Sequence, residues 1–240
     1  MKKILLLLVV TLCCTSVASA QWDLATDIQF GANPSGEWDY GWIDNGTGVF
    51  TSYNGTLNAN FGGGKEFTAW VKDGGWDSHG NVGQSMGTAD IDGDWGSVRE
   101  LGQVIYGPQH PNVPPHRKTT SRWTAPAAGD YDITAVFTGQ GLGGSHSNVS
   151  VALNGVDEWN TLVNGFVGRS WEGYTDGFGP DPSQAYGDTL TLAAGDTLDF
   201  GVVTGAQPAP IGVDVQIVPE PMTLILLGLG GLASIRRRRA

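Results

Sequence analysis

Cysteine is confined to two adjacent positions, Cys13 and Cys14, close to the amino end. The rest of the chain has no disulfide available and must hold its fold by packing, even in an oxidising compartment. Basic residues are scarce too, with 13 Lys and Arg against 24 Asp and Glu in 240 residues. That balance excludes nucleic acid as a partner, because phosphate binding needs a basic surface. No segment shows a helical hydrophobic period of useful length, which excludes a helix bundle and leaves strands to build the core. The four histidines, His79, His110, His116 and His146, lack the helical spacing of a zinc site and have no cysteine partners beyond residue 14. They are expected as solvated loop residues, and no cofactor is expected from them.

What is present begins with an address. Lys2 and Lys3 form a positive start, Ile4 to Leu12 a short apolar run, and Ala18-Ser19-Ala20 a small-residue cleavage site before Gln21. A membrane anchor needs about 20 apolar residues, and this run stops well short. Residues 1–20 are therefore expected to be a signal peptide, read by the secretion machinery and cut by signal peptidase after Ala20. Lipidation follows a small residue immediately before the cysteine, and Leu12 and Cys13 occupy those places instead. Both cysteines then leave with the signal. Between Gln21 and Val218 seven cations remain against 23 carboxylates, a formal charge of −16. Cations and neutral polysaccharide are compatible partners for such a body.

The carboxy end has three parts in order. Val218 leads into Pro219-Glu220-Pro221, fourteen mostly apolar residues follow from Met222 to Ile235, and Arg236, Arg237, Arg238 and Arg239 close the segment. The prolines fix φ and remove backbone donors, which favours an extended stretch that a processing enzyme can bind as a strand. As a helix, residues 222–235 span roughly 21 Å at 1.5 Å per residue, and snorkelling arginines help close the gap to a ~30 Å hydrocarbon core. The arginines favour cytoplasmic retention of that end, leaving the body outside. Gly228, Gly230 and Gly231 argue against the alternative of an ordinary soluble helix. In order and spacing this 218–240 segment resembles the PEP-CTERM sorting signal of Gram-negative bacteria. The resemblance implies a membrane protease of the exosortase type acting near Pro219, Glu220 and Pro221. It further implies an inner-membrane intermediate and delivery to the cell surface or an extracellular matrix rich in exopolysaccharide.

Residues 21–217, the ectodomain, alternate β-prone runs with turn residues, and the expected fold class is all-β. Expected strands are Phe67 to Val71, Tyr131 to Thr138, Asn148 to Leu153, Thr189 to Leu192, Thr197 to Val203 and Gly212 to Ile217. Asn-Gly pairs at Asn45, Asn54, Asn154 and Asn164 supply the positive φ of tight hairpins, most clearly Asn154-Gly155. Ala127-Ala128-Gly129-Asp130-Tyr131 is echoed by Ala193-Ala194-Gly195-Asp196-Thr197, as two strands entering one sandwich core require. With Arg122 to Tyr131 and the opening Asn33 to Gly41, these words resemble a module frequent in PEP-CTERM ectodomains. They also resemble galactose-binding-like jelly rolls, which implies a β-sandwich. Residues 72–97, rich in Gly and Asp, are expected to form a long loop or insertion.

Three constellations bear on chemistry. Gly83-Gln84-Ser85-Met86-Gly87 fits the hydrolase pattern Gly-x-Ser-x-Gly, but no apolar strand precedes Ser85 and no helical segment follows. Asp90, Asp92 and Asp94 are alternate carboxylates that a loop can converge on calcium, with Asp73 and Asp77 near in sequence. Trp95 stands where the sharp-turn glycine of a calcium loop belongs and Leu101 where its bidentate Glu would be, so an exposed acidic loop is the plainer reading. Among nine tryptophans, Trp123 suits the core. Trp76, Trp95 and Trp171 sit in Gly-rich or polar surroundings and are the candidates for stacking on sugar rings, although buried tryptophan is the commoner outcome. The expectation is a non-catalytic surface or matrix protein that binds or scaffolds exopolysaccharide. Its alternatives are a calcium-dependent adhesive protein and a secreted hydrolase.

Overall fold

From Gly129 the chain alternates strictly: Tyr131, Ile133, Ala135 and Phe137 are buried, while Asp130, Asp132, Thr134 and Val136 are exposed. Period two of this kind is a strand with one wet face. The computed structural model describes residues 21–73, 79–92, 98–109, 117–141, 145–166, 178–207 and 210–220. Residues 1–20 with Ala18 and Ala20, Pro221, the expected helix 222–235 and Arg236 to Arg239 lie outside them. Among the described residues no helix is long and apolar enough to cross a membrane.

In chain order the first strands are β1 (Trp22–Asp23), β2 (Trp38–Asp44), β3 (Phe50–Ser52), β4 (Gly55–Gly62), β5 (Lys65–Val71) and β6 (Asn81–Ser85). Next come β7 (Ile91–Asp92), β8 (Val98–Arg99), β9 (Val104–Gly107), β10 (Arg117–Thr124), β11 (Gly129–Gly139) and β12 (Ser145–Leu153). The last are β13 (Val156–Phe166), β14 (Phe178–Asp181), β15 (Ser183–Leu192), β16 (Thr197–Gln207) and β17 (Ile211–Pro219). One helical turn, α1 (Leu24–Asp27), follows β1.

Two large sheets result, one ordered β15-β11-β17-β9-β6-β5-β4 with β1 also paired to β17, the other β14-β13-β12-β16-β10-β2-β3, while β7 and β8 pair with each other as a small third sheet. Their pairings are antiparallel. From β10 onward the chain passes repeatedly between the sheets, since β10, β12, β13, β14 and β16 lie in one and β11, β15 and β17 in its partner. This is the all-β jelly-roll sandwich expected from the sequence. Its core joins Trp38, Tyr40, Trp123, Phe200 and Val202 of one sheet to Tyr106, Tyr131, Ile133, Phe137 and Val215 of the other. Tyr40 stacks on Trp70 with ring centroids 6.5 Å apart, and Trp123 meets Tyr131 edge-on at 5.3 Å.

The two echoed turns lie side by side, one leading into each sheet. The Ala125 N–H donates to the Asp196 carbonyl and the Gly195 N–H to the Ala125 carbonyl, both at 2.8 Å. Asn154 and Gly155, at φ 51° and 82°, make the expected hairpin between β12 and β13. Asn45-Gly46 also lies in a hairpin loop, between the paired strands β2 and β3, where the positive φ falls on Gly48 at 70°. The other two Asn-Gly pairs differ. Asn54 sits where the chain leaves β3 for β4 in the opposite sheet, its side chain bonded to Asp73. Asn164 lies inside β13, where Gly165 at φ 131° marks a shift of register against β14.

The expected loop 72–97 contains β6, an interior strand between β5 and β9. Its segment Asn-Val-Gly-Gln-Ser carries one large apolar residue, so no period announces it. Pairing on both sides makes it a strand. Ile91, fully buried, then joins Phe67, Ala69, Val71 and Ile105 in a second small core on the other side of the same sheet.

Candidate functional site

Strand β17 exchanges neighbours along its length. It pairs with β9 through Ile211 to Val213 and with β1 through Gln216 to Ile217. Between these contacts the sheet parts, and a cleft of about 320 Å³ opens on its outer face. Asp214 and Gln216 project into it from β17, Val136 and Thr138 from β11, Asp23 and Thr26 from the amino end, and Glu100, Leu101 and Gln103 from the turn before β9.

Both rims are held by hydrogen bonds. Asp23 caps α1, its Oδ1 accepting from the N–H groups of Ala25 and Thr26 at 2.9 and 3.1 Å. The buried amide of Gln84 donates to the Ala25 carbonyl on one rim and the Gly102 carbonyl on the other, both at 2.6 Å. Asp90 accepts from the Leu101 N–H at 2.8 Å. A Cβ at Gly212 would lie 2.4 Å from Nε2 at the movable end of the Gln103 side chain. Its absence lets that amide lie against β17.

Chemically the cleft offers carboxylates (Asp23, Asp214, Glu100), amides (Gln103, Gln216) and an apolar strip, Val136 and Leu101, exposed to 37% and 51%. Among the described residues neither Lys nor Arg lines it. Burial, with the charge of Asp23 adding to it, holds the Asp214 carboxyl above its ordinary value. Such a lining accepts hydroxyl or ammonium donors and repels anions. Beyond it the wet face continues as a ladder in which Thr189 and Thr191 donate to Asp132 and Asp130, each at 2.6 Å.

The residues singled out from sequence fall elsewhere. Trp76, Trp95, Trp171 and Asp94 lie outside the described residues, as do His110 and His116. Asp92 is in β7, and Asp90 serves as the anchor of the Leu101 turn. Among the described residues no group of three His, Cys, Asp or Glu is placed to hold a metal. Ser85 ends β6 at 1% exposure with its hydroxyl buried, and the described residues 86–92 that follow it are not helical, so the strand-to-helix elbow of a hydrolase is not formed there. His79 is 7% exposed rather than solvated, its ring edge-on to Trp42 at 4.7 Å. Among the described tryptophans, Trp38, Trp42, Trp70 and Trp123 are buried in the core. Trp22 and Trp159 are half-buried against it.

The cleft itself had one sequence signal, the alternation Val213-Asp214-Val215-Gln216-Ile217, which puts Asp214 and Gln216 on the wet face. Nothing local pointed to Gln103 or Leu101.

Residues 218–239 match the PEP-CTERM protein-sorting motif. The chain is thus an exported protein sorted to the cell surface, and Val218, Pro219 and Glu220 are the described part of that motif. No characterised protein matches the chain in sequence. Among solved structures, a family 35 carbohydrate-binding module from Clostridium thermocellum is 11% identical, covering 48% of this chain and 91% of its own, with a TM-score of 0.27. The K1 cleaved adhesin domain of Lys-gingipain from Porphyromonas gingivalis W83 is 12% identical over 70% of this chain and 100% of its own, with a TM-score of 0.35. The C-terminal CBM6 of LamC from Zobellia galactanivorans is 11% identical over 75% and 99%, with a TM-score of 0.22. At these scores the likenesses carry no argument about a ligand.

Proposed function

We propose that the exported ectodomain is a non-catalytic binding domain whose cleft takes a neutral chain of extracellular polysaccharide at the surface or in the matrix of a Gram-negative cell. The observation that carries this is the lining of the cleft, with Asp214, Gln103 and Gln216 beside exposed Val136 and Leu101 and no cation among the described lining residues. A sugar ring has an apolar C–H face and a rim of hydroxyls. The apolar strip covers the first, while carboxylate and amide groups accept from and donate to the second. Acidic glycans are disfavoured, because Asp23, Asp214 and Glu100 meet them with like charge. Gln84 ties the two rims together before any ligand arrives, which lowers the ordering cost of binding. Exosortase-type processing of the tail supports the destination.

Calorimetric titration of the folded ectodomain with neutral and uronic-acid-rich polysaccharides tests the reading. Binding is expected for the neutral series only. Asp214→Ala and Gln103→Ala each weaken it about tenfold, the loss of a hydrogen bond involving a charged or well-placed polar group. Absence of binding to any neutral polysaccharide by folded protein defeats the proposal.

A further inference from the structure

The sorting motif begins at residue 218, yet β17 runs to Pro219. There is no spacer between body and motif. Pro219 stands opposite Tyr131 in the pairing of β17 with β11, and the Glu220 N–H donates to the Asp130 carbonyl at 2.9 Å. Two residues earlier the strand is held on both sides, with Ile217 opposite Ile133 of β11 and Trp22 of β1. Tyr131 is 3% exposed and packs edge-on against Trp123, so the partner of Pro219 is a core residue.

A protease binds its substrate as an added strand, using the backbone N–H and C=O groups around the scissile bond. Here the Glu220 N–H is already committed to β11. We infer that the processing enzyme meets a folded substrate and must draw Pro219 and Glu220 off strand β11 before cutting, so that fraying of this strand end meters release from the membrane. The opening is local. Glu220 and Pro219 are held by β11 alone and can part from it, while Ile217, held by two strands and fully buried, stops the fray. Folding thus places the body directly against the enzyme and sets how often the motif is offered. This inference rests on the sorting motif and is independent of the ligand in the cleft.

Pulse-labelling in cells that process the chain, followed by the rate at which the tail is lost, tests it with two variants. Insertion of Gly-Ser-Gly-Ser between Val218 and Pro219 frees the motif from Pro219 onward while leaving β17 intact to Val218. Tail loss is expected to accelerate about fivefold, the worth of one net backbone hydrogen bond. The pair Asp132→Cys and Val218→Cys staples the strand end, because these residues are cross-strand partners on the wet face and the body has no other cysteine. Paired positions in an antiparallel ladder lie about 5.5 Å apart at Cα, within disulfide reach. The stapled form is expected to lose its tail at least fivefold more slowly, with recovery on adding reductant and no such recovery in the single-cysteine chains. Wild-type rates in both variants overturn the inference, as does a wild-type chain that never loses its tail. Glycan affinity is expected to be unchanged in both variants, so failure here and failure of the cleft are separately visible.

Discussion

Arg122 grips Asp199 with two parallel hydrogen bonds, Nε to Oδ1 at 2.7 Å and a terminal nitrogen to Oδ2 at 2.8 Å, and the carboxylate it holds is fully buried. The two are direct cross-strand partners of β10 and β16, with Asp39 facing Arg122 from β2 on the other side. The guanidinium also lies over the Phe50 ring, 4.2 Å from its centroid. Such a fork is not replaceable by lysine, which offers a point charge. Arg122→Met leaves Asp199 buried and unpaired and is expected to cost about 3–5 kcal/mol in a urea titration. Asp199→Leu added to Arg122→Met is expected to recover most of that loss. An additive double variant would show that the pair is not coupled.

His79 predicts acid sensitivity. Burial, reinforced by Arg117 and Lys72 and opposed by Asp73, pushes its pKa from the ordinary 6.5 down to about 4. Between those values the unfolded chain binds a proton that the folded chain refuses, so stability present above pH 6.5 is lost as the pH falls toward 4. The His79 ring titration followed by NMR is expected to have its midpoint near 4. In His79→Gln, thermal melting is expected to start lower, through loss of the Trp42 contact, but to vary less across that window. An unperturbed ring midpoint rejects the account.

Local chemistry made some of the fold legible and hid the rest. Asn154-Gly155 carries its own turn geometry, and β11 and β17 alternate cleanly because each has one wet face. Asn164-Gly165 has the same dipeptide yet sits inside a strand, since partners on either side of β13 decide its conformation. β6 was illegible for the same reason. The cleft was legible only in part, because it exists where β17 changes partners, and that exchange depends on Gln84, Ala25 and Gly102, which lie far apart in sequence. Sorting was readable almost completely, since a targeting segment acts through local order and spacing.

Gly83 is the test of β6. A Cβ at this position would lie 2.4 Å from the Phe67 ring, 2.6 Å from the Thr68 carbonyl oxygen and 2.7 Å from the Ala69 Cβ. Two of those atoms belong to backbone or near-backbone groups of the neighbouring strand, so they cannot swing aside. Gly83→Ala is expected to destabilise by about 1–3 kcal/mol, as overpacking does. A full loss of cooperative melting or a measurable drop in the denaturation midpoint agrees with an interior strand. An unchanged midpoint would place residues 81–85 back in a loop.

Asp214 separates a binding role from a structural one. Its carboxyl is held above the ordinary 3.8, first by burial and then by Asp23, so the fold disfavours its charged form. For a carboxyl raised in this direction, the stabilising contribution is present below the unfolded value and is lost as the pH rises through the folded one. Asp214→Asn removes the charge and is expected to raise the melting temperature at neutral pH, with the gain vanishing as the wild-type carboxyl is protonated in acid. A residue kept only for the fold would then be an unfavourable choice. In a binding cleft the same charge is useful, since a carboxylate accepts from two sugar hydroxyls where an amide oxygen accepts more weakly. Melting curves and polysaccharide titration on one preparation of Asp214→Asn are therefore expected to move in opposite directions, toward higher stability and weaker binding. If the variant gains stability and keeps full affinity, Asp214 does not touch the ligand; if it loses stability at neutral pH, the balance of burial and repulsion assigned to it is wrong.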